Sequence, residues 1–204
     1  LFNGGAFVVN QKGQALADTQ FSAGLQASNF ADKDLISQTL RQNKATIGHP
    51  TLNRALNVPV FGIAAPIHDL NGEVIGAVVG ITDLSQPNFL GFISEGHYGE
   101  TGGYVLMDPP HRRVITASDR QRIFEQLPPI GEVPAIDRFL AGFEGTQVFK
   151  NPLGIEVLAT DKRLQPSGWI LSVMLPTDEA FAPIHEMEQR MLTATALLTL
   201  FAAA

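Results

Sequence analysis

The sequence predicts an α+β fold built from two tandem modules, each an antiparallel sheet with flanking helices. Three observations carry that prediction. Gly4-Gly5, followed by the apolar Ala6-Phe7-Val8-Val9, returns as Gly102-Gly103 followed by Tyr104-Val105-Leu106-Met107. A long apolar run over 60–67, a turn at Asn71-Gly72 and a second run over 74–81 are echoed by 155–161, a turn at Pro166-Ser167-Gly168 and a run over 169–175. Thr82-Asp83 and Thr177-Asp178 close the two copies, and the offset stays between 95 and 98 residues at both ends. A constant offset over a whole unit is the mark of a duplicated domain. The implied division is 1–93, 94–183 and a C-terminal segment over 184–204.

The elements follow in order from period and punctuation. Strands over 7–9 and 14–17 flank the turn Gln11-Lys12-Gly13. A helix over 32–42 places Leu35, Ile36, Thr39 and Leu40 on one face. Strands over 58–67 and 73–81 form a hairpin, with Asn71-Gly72 supplying the positive φ angles of a tight turn. The segment 29–57 is long and irregular, and it leaves room for a pocket against the sheet. The second copy predicts strands over 104–107 and 113–116, helices over 118–126 and 135–141, and strands over 146–150, 155–163 and 169–175. A last helix starts at Pro176, with Asp178 and Glu179 in its first turn and Pro183 as a candidate kink. In the second copy Trp169, Phe139 and Phe143 are expected to fill the interior.

Composition narrows the function classes. A chain of 204 residues, 45% hydrophobic and 17% charged, buries one or two ordinary cores. A net charge of -6 and a pI near 5.3 give no basic field for phosphates, so no nucleic-acid partner is expected. Cysteine is absent, which removes disulfides, thiolate metal sites and cysteine nucleophiles while fitting either redox compartment.

After Arg190 the chain carries no charge to its end, and threonine is the only polar residue type among those 14 residues. A bilayer-spanning helix needs about 20 apolar residues. The run has no polar face to offer water, so it is expected to be the start of a transmembrane helix. The chain is accordingly expected to be an interior piece of a larger membrane protein.

Catalytic motifs are missing. The five histidines stand far apart in sequence, so each is expected at the surface and no metal site is expected. Gly72, Gly76 and Gly80 imitate a helix-pairing motif, but their Val and Ile neighbours after a hairpin turn place them in a strand. Neither a nucleophile elbow nor a phosphate-binding loop is present. No cofactor is implied, and an enzyme is the weakest of the functional classes.

The stretch Pro59-Val60-Phe61-Gly62-Ile63-Ala64-Ala65-Pro66-Ile67, with Asp69-Leu70-Asn71-Gly72-Glu73-Val74-Ile75-Gly76 and Gly80-Ile81-Thr82-Asp83-Leu84, resembles the signature of double Cache sensor domains. Gly99-Glu100-Thr101-Gly102-Gly103-Tyr104, Val114-Ile115-Thr116-Ala117-Ser118-Asp119, Gly168-Trp169-Ile170 and Leu175-Pro176-Thr177 are similar to segments of the membrane-proximal module. The resemblance covers almost the whole chain. It implies two PAS-like modules in the periplasm, anchored in the inner membrane through the C-terminal helix and homodimeric in the intact protein. It also implies a small-molecule ligand and a cytoplasmic output, most like the GGDEF and EAL enzymes of cyclic-di-GMP turnover; other members drive histidine kinases or chemoreceptors.

Family members that bind amino acids carry an Arg followed by Trp-Tyr in the first module's helix and an Asp at the end of its last strand. This chain has Lys33-Asp34-Leu35-Ile36 and Asp83 there. Lysine keeps the charge without the two-pronged grip of arginine, and Leu35 and Ile36 remove the aromatic walls. The candidate ligand-binding residues are therefore Asp83 and Lys33, with Phe61, His49, Asn53 and Arg54 in the same module, and the ligand is a small polar metabolite. The alternative is an ectodomain for dimerisation or partner docking, with no small ligand.

Overall fold

The computed structural model describes residues 2–19, 33–53 and 57–203, the side chains of Lys33 and Ala203 excepted. Two antiparallel sheets with a few helices make an α+β, PAS-like pair. The first sheet contains β1 (Ala6–Asn10), β2 (Ala15–Asp18), β3 (Thr46–Ile47), β4 (Thr51–Leu52), β5 (Pro59–His68) and β6 (Val74–Asp83), with α1 (Lys33–Gln42) packed on β5 and β6. Its order is β2-β1-β6-β5-β3, and β4 also pairs with β5. After the short α2 (Gly91–Ser94), the second sheet contains β7 (Gly103–Asp108), β8 (Arg113–Ala117), β9 (Gly145–Lys150), β10 (Glu156–Arg163) and β11 (Ile170–Pro176) in the order β8-β7-β11-β10-β9. In each sheet the first strand lies between the second and the last, so the duplication read from the sequence is a duplication of topology.

Among the described residues, three apolar clusters hold this arrangement. Phe7, Val9, Val60, Ala64, Val79 and Ile81 meet Leu35 beneath α1, with Ile36 and Leu40 packed alongside. Val105, Met107, Val114, Leu127 and Ile170 meet Ile136 of α3 (Pro134–Leu140). The third cluster joins the modules and contains Phe61, Leu84, Leu90, Ile93, Leu106, Ile115 and Trp169. Successive strand residues face opposite ways, so Val60, Val105 and Val114 enter their own module's core while Phe61, Leu106 and Ile115 enter the junction. Both faces of these strands are buried, which is why they read as continuous apolar runs and not as alternating ones. Trp169 belongs to the junction as well, not to the second module's interior where the sequence placed it. Of its two expected companions Phe139 is buried and Phe143 is exposed.

Close backbone approach explains two glycines. A Cβ on Gly76 would strike the Val9 carbonyl of β1, and one on Gly102 would strike the carbonyls of Tyr98 and Met174. Both sit where strands or loops are drawn together, as expected of a strand glycine.

Several local expectations need correction. In the β5–β6 hairpin only Gly72 has positive φ, at 84°. The Asp69 Oδ1 accepts from the backbone N–H groups of Asn71 and Glu73, at 2.9 Å each, and this holds a longer loop than the two-residue turn expected. The expected helix over 118–126 is one 3₁₀ turn over Arg120–Arg122, capped by Asp119. Its later backbone groups go instead to β8: Val114 donates to the Glu125 carbonyl, and Phe124 donates back to Val114. The last helix is interrupted at Phe181, between α4 (Thr177–Ala180) and α5 (Ala182–Ala203), and Pro183 lies in the first turn of α5, where its missing N–H costs nothing.

Glu179 of α4 ties this last segment to the second sheet. Its carboxylate accepts from the Thr101 hydroxyl at 2.6 Å, the Glu100 N–H at 2.7 Å and the Thr101 N–H at 2.9 Å. Those bonds, the hydroxyl first, hold its carboxyl below the usual glutamate range. The glycine-rich lead-in to β7 and the start of the terminal helix are thereby one mechanical piece.

Candidate ligand-binding site

Of the described residues chosen from sequence, His49 and Phe61 face the second module and not a first-module pocket. Asp83 ends β6 and is 8% exposed. Its Oδ1 accepts from the Ser85 N–H at 2.8 Å and the Ser85 hydroxyl at 2.6 Å, while Asn3 brackets its backbone through N–H and carbonyl. One edge of the carboxylate thus caps the turn that leads into the junction. Phe61 has no exposed surface and stands edge-on to Trp169, with ring centroids 5.2 Å apart and an 81° interplanar angle. No face of it is open to a ligand, so it is a junction residue and not a pocket wall. The Asn53 backbone closes its loop, donating to Val58 and accepting from Asn57 at 2.9 Å each, and its side chain is buried. His49 leaves the first module altogether and reaches Asp108 of β7. Arg54 and the Lys33 side chain lie outside the described residues, as do residues 29–32 and 54–56 of the irregular segment.

The histidines correct a second expectation. His49 and His111, 62 positions apart in the chain, both place Nδ1 against the Asp108 carboxylate, and their ring centroids are 4.1 Å apart. Separation in sequence did not keep them apart in space.

A group that sequence reading missed occupies the second module. β10 alternates Val157, Ala159 and Asp161 on its inward face, and all three are buried. Asp161 is 2% exposed, and among the described residues neither carboxylate oxygen has a hydrogen-bond partner. Ser172 faces it across the β10–β11 ladder. Burial pushes the Asp161 carboxyl up from 3.8 to about 7; the Ser172 hydroxyl opposes that shift but makes no well-formed hydrogen bond to it. The carboxyl lines a cavity of about 30 Å³ with Ile136 and Phe139 of α3, Phe149 and Met174. That is space for one or two waters. The cavity shares Val105, Arg122, Asn151 and Met174 with an open groove of about 340 Å³ walled by Tyr104, Ser118 and Asp119. A buried carboxyl whose pKa is raised by burial is able, in such a place, to accept a donor or a cation from a ligand.

Residues 3–184 match the sequence model of the Cache domain. The chain belongs to the Cache domain family. Solved sensor domains share this fold. The ligand-binding domain of the Pseudomonas fluorescens chemoreceptor CtaA, in complex with L-alanine, is 14% identical with a TM-score of 0.56, over 87% of this chain and 74% of that one. The sensor domain of the V. cholerae histidine kinase DctB is 16% identical with a TM-score of 0.57, over 84% and 71%. The periplasmic sensory domain of the Campylobacter jejuni chemoreceptor Tlp1 is 18% identical with a TM-score of 0.55, over 72% of this chain but only 56% of its own length. No curated protein matches the chain by sequence. Cache domains of this type are extracellular or periplasmic sensor domains of membrane receptors, a ligand-binding fold without catalysis.

Proposed function

We propose that this Cache domain is the periplasmic sensor of a bacterial inner-membrane signalling protein. A small polar metabolite binds the membrane-distal module, 1–93, and shifts its relation to the membrane-proximal module, 94–183. The carrying observation is the junction core: Phe61 and Trp169 lock the backs of the two sheets together, so a displaced first sheet moves the second. Glu179 then passes that movement to α5. The output is cyclic-di-GMP turnover in a cytoplasmic domain, and the intact protein is a homodimer. The CtaA domain bound to L-alanine supports a small-molecule ligand for this fold, and Lys33, Leu35 and Ile36 in place of Arg, Trp and Tyr favour a small polar metabolite other than an amino acid. Asp83 and Lys33 are the proposed recognition pair, with His49, Asn53 and Arg54 as further candidates.

Asp161 favours a second reading, in which the ligand enters the second module, because a buried carboxylate without a partner asks for one. A thermal-shift and calorimetric screen of amino acids, small carboxylates and amines separates the two. Asp83→Asn keeps the acceptor toward Ser85 and removes the charge. Loss of a charge-assisted bond worth roughly 1.5–3 kcal/mol weakens a distal ligand about ten- to a hundredfold in that variant, with Asp161→Asn binding normally. The reverse pattern moves the site to the second module. A folded domain that responds to no compound in either form supports the docking alternative.

Membrane anchoring rests on α5. Among the described residues no helix is long and apolar enough to cross a membrane. Yet Met191, Leu192, Leu197, Leu198, Leu200 and Phe201 are all exposed on one uncharged stretch, and the helix is proposed to continue into the bilayer. Alkaline phosphatase fused after Glu188 in the native protein is expected to be active and a cytoplasm-dependent reporter there silent; the opposite pair of results refutes it.

A further inference from the structure

We propose that His49, Asp108 and His111 form a divalent transition-metal site that clamps the two modules together, a property beyond metabolite sensing. The three side chains come from two places. His49 sits in the loop after β3 of the first module; Asp108 ends β7 and His111 lies in the β7–β8 turn of the second. The His49 Nδ1 is 3.2 Å from both Asp108 oxygens, and the His111 Nδ1 is 2.8 Å from Oδ2. All three donor atoms lie within 4.8 Å of one another. Around tetrahedral zinc with bonds near 2.0–2.1 Å, neighbouring donors stand roughly 3.3 Å apart. Both His–Asp pairs are already close to that spacing, and with the donors within 4.8 Å of one another a closure of the two rings toward each other seats an ion.

The chemistry of the set selects the ion. Two imidazole nitrogens and one carboxylate suit zinc, nickel or cobalt better than magnesium or calcium, which favour oxygen. Asp108 is 1% exposed, so its orientation is fixed by the sheet, whereas the side chains of His49 and His111 are 36% and 50% exposed. The buried carboxylate is the anchor. The imidazoles form an open mouth through which an ion enters, with water completing its shell. A hydrogen-bonded trio alone would also place these atoms together, but it would not bind a metal stoichiometrically. An ion held by both modules would stiffen their relation, adding a metal input to the same junction that Phe61 and Trp169 form.

The test uses the chain stripped with chelator and titrated with Zn²⁺ by calorimetry and thermal unfolding. One ion per chain is expected, with a melting midpoint that rises with Zn²⁺ concentration and is restored by chelator. His49→Gln and His111→Gln, which keep hydrogen-bonding capacity but lose the imidazole ligand, are expected to weaken binding by more than about a hundredfold. Their circular dichroism in the absence of metal should match that of the parent chain. Excess Mg²⁺ or Ca²⁺ should not compete. Absence of Zn²⁺-dependent heat and stabilisation in the parent chain overturns the proposal, as does Zn²⁺ binding that survives both substitutions. Neither result bears on whether a metabolite binds.

Discussion

Phe61→Ala is expected to destabilise the domain by about 3–5 kcal/mol, the range for removing a buried aromatic, and to loosen the coupling between its modules. Phe61 is wholly buried, with Trp169 edge-on at 5.2 Å and Phe89 at 6.0 Å. Leu84, Leu90, Ile93, Leu106 and Ile115 complete the cluster around it. The backbones of β7 and β8 fix the Cβ positions of Leu106 and Ile115, so the junction collapses only partly onto the space left behind. Denaturant unfolding by circular dichroism measures the loss, and separation into two transitions would report that the modules no longer unfold as one. The double cycle with Trp169→Ala should show a coupling of about 0.5–1.5 kcal/mol for the aromatic pair. A loss below about 1 kcal/mol would mean that the junction is not a packed core, and the proposed route for the signal would fail with it.

The same residue shows how far the sequence could be read. Its strand, its module and the duplication were legible, because a long β-rich run followed by a glycine turn has few other solutions. Its role was not, because Val60 and Phe61 are equally apolar, and only the arrangement of the two sheets decides that one faces α1 and the other the neighbouring module. Asp161 carries a local signal in the sequence: it continues the inward series of Val157 and Ala159 at period two, so the strand pattern alone buries it. The Asp108 and His111 pair was also visible at a spacing of three, but His49 is brought to it only by tertiary structure. The stretch over 118–126 had helical spacing, and pairing with β8 outbid it for the backbone groups of Phe124 and Glu125. Weak local propensity yields to tertiary hydrogen bonding.

Asp161→Asn is expected to stabilise the domain at pH 8 and to change little at pH 4. The sign follows from linkage. The native carboxyl titrates near 7 and the unfolded one near 3.8, so between those values the native state holds the proton more tightly. Stability therefore falls as pH rises through that window, and the cost is complete above it. A difference of about 3 pH units corresponds to at most about 4 kcal/mol at pH 8, less whatever water entering the cavity recovers. Asparagine has the shape of the protonated acid without its charge, and its amide is able to donate to the Ser172 hydroxyl opposite. Urea unfolding of both proteins at pH 4, 6 and 8 isolates the effect, because other titrating groups cancel in the difference. A variant that is equally destabilised at all three values would show that Asp161 is held by a partner and carries no penalty. If the penalty is found, a ligand amine or other donor that pairs with Asp161 relieves it on binding, so the second module would gain affinity from strain already present in the empty domain. Asp161→Asn would then gain stability and lose that ligand together, a combination that a purely structural carboxylate does not produce.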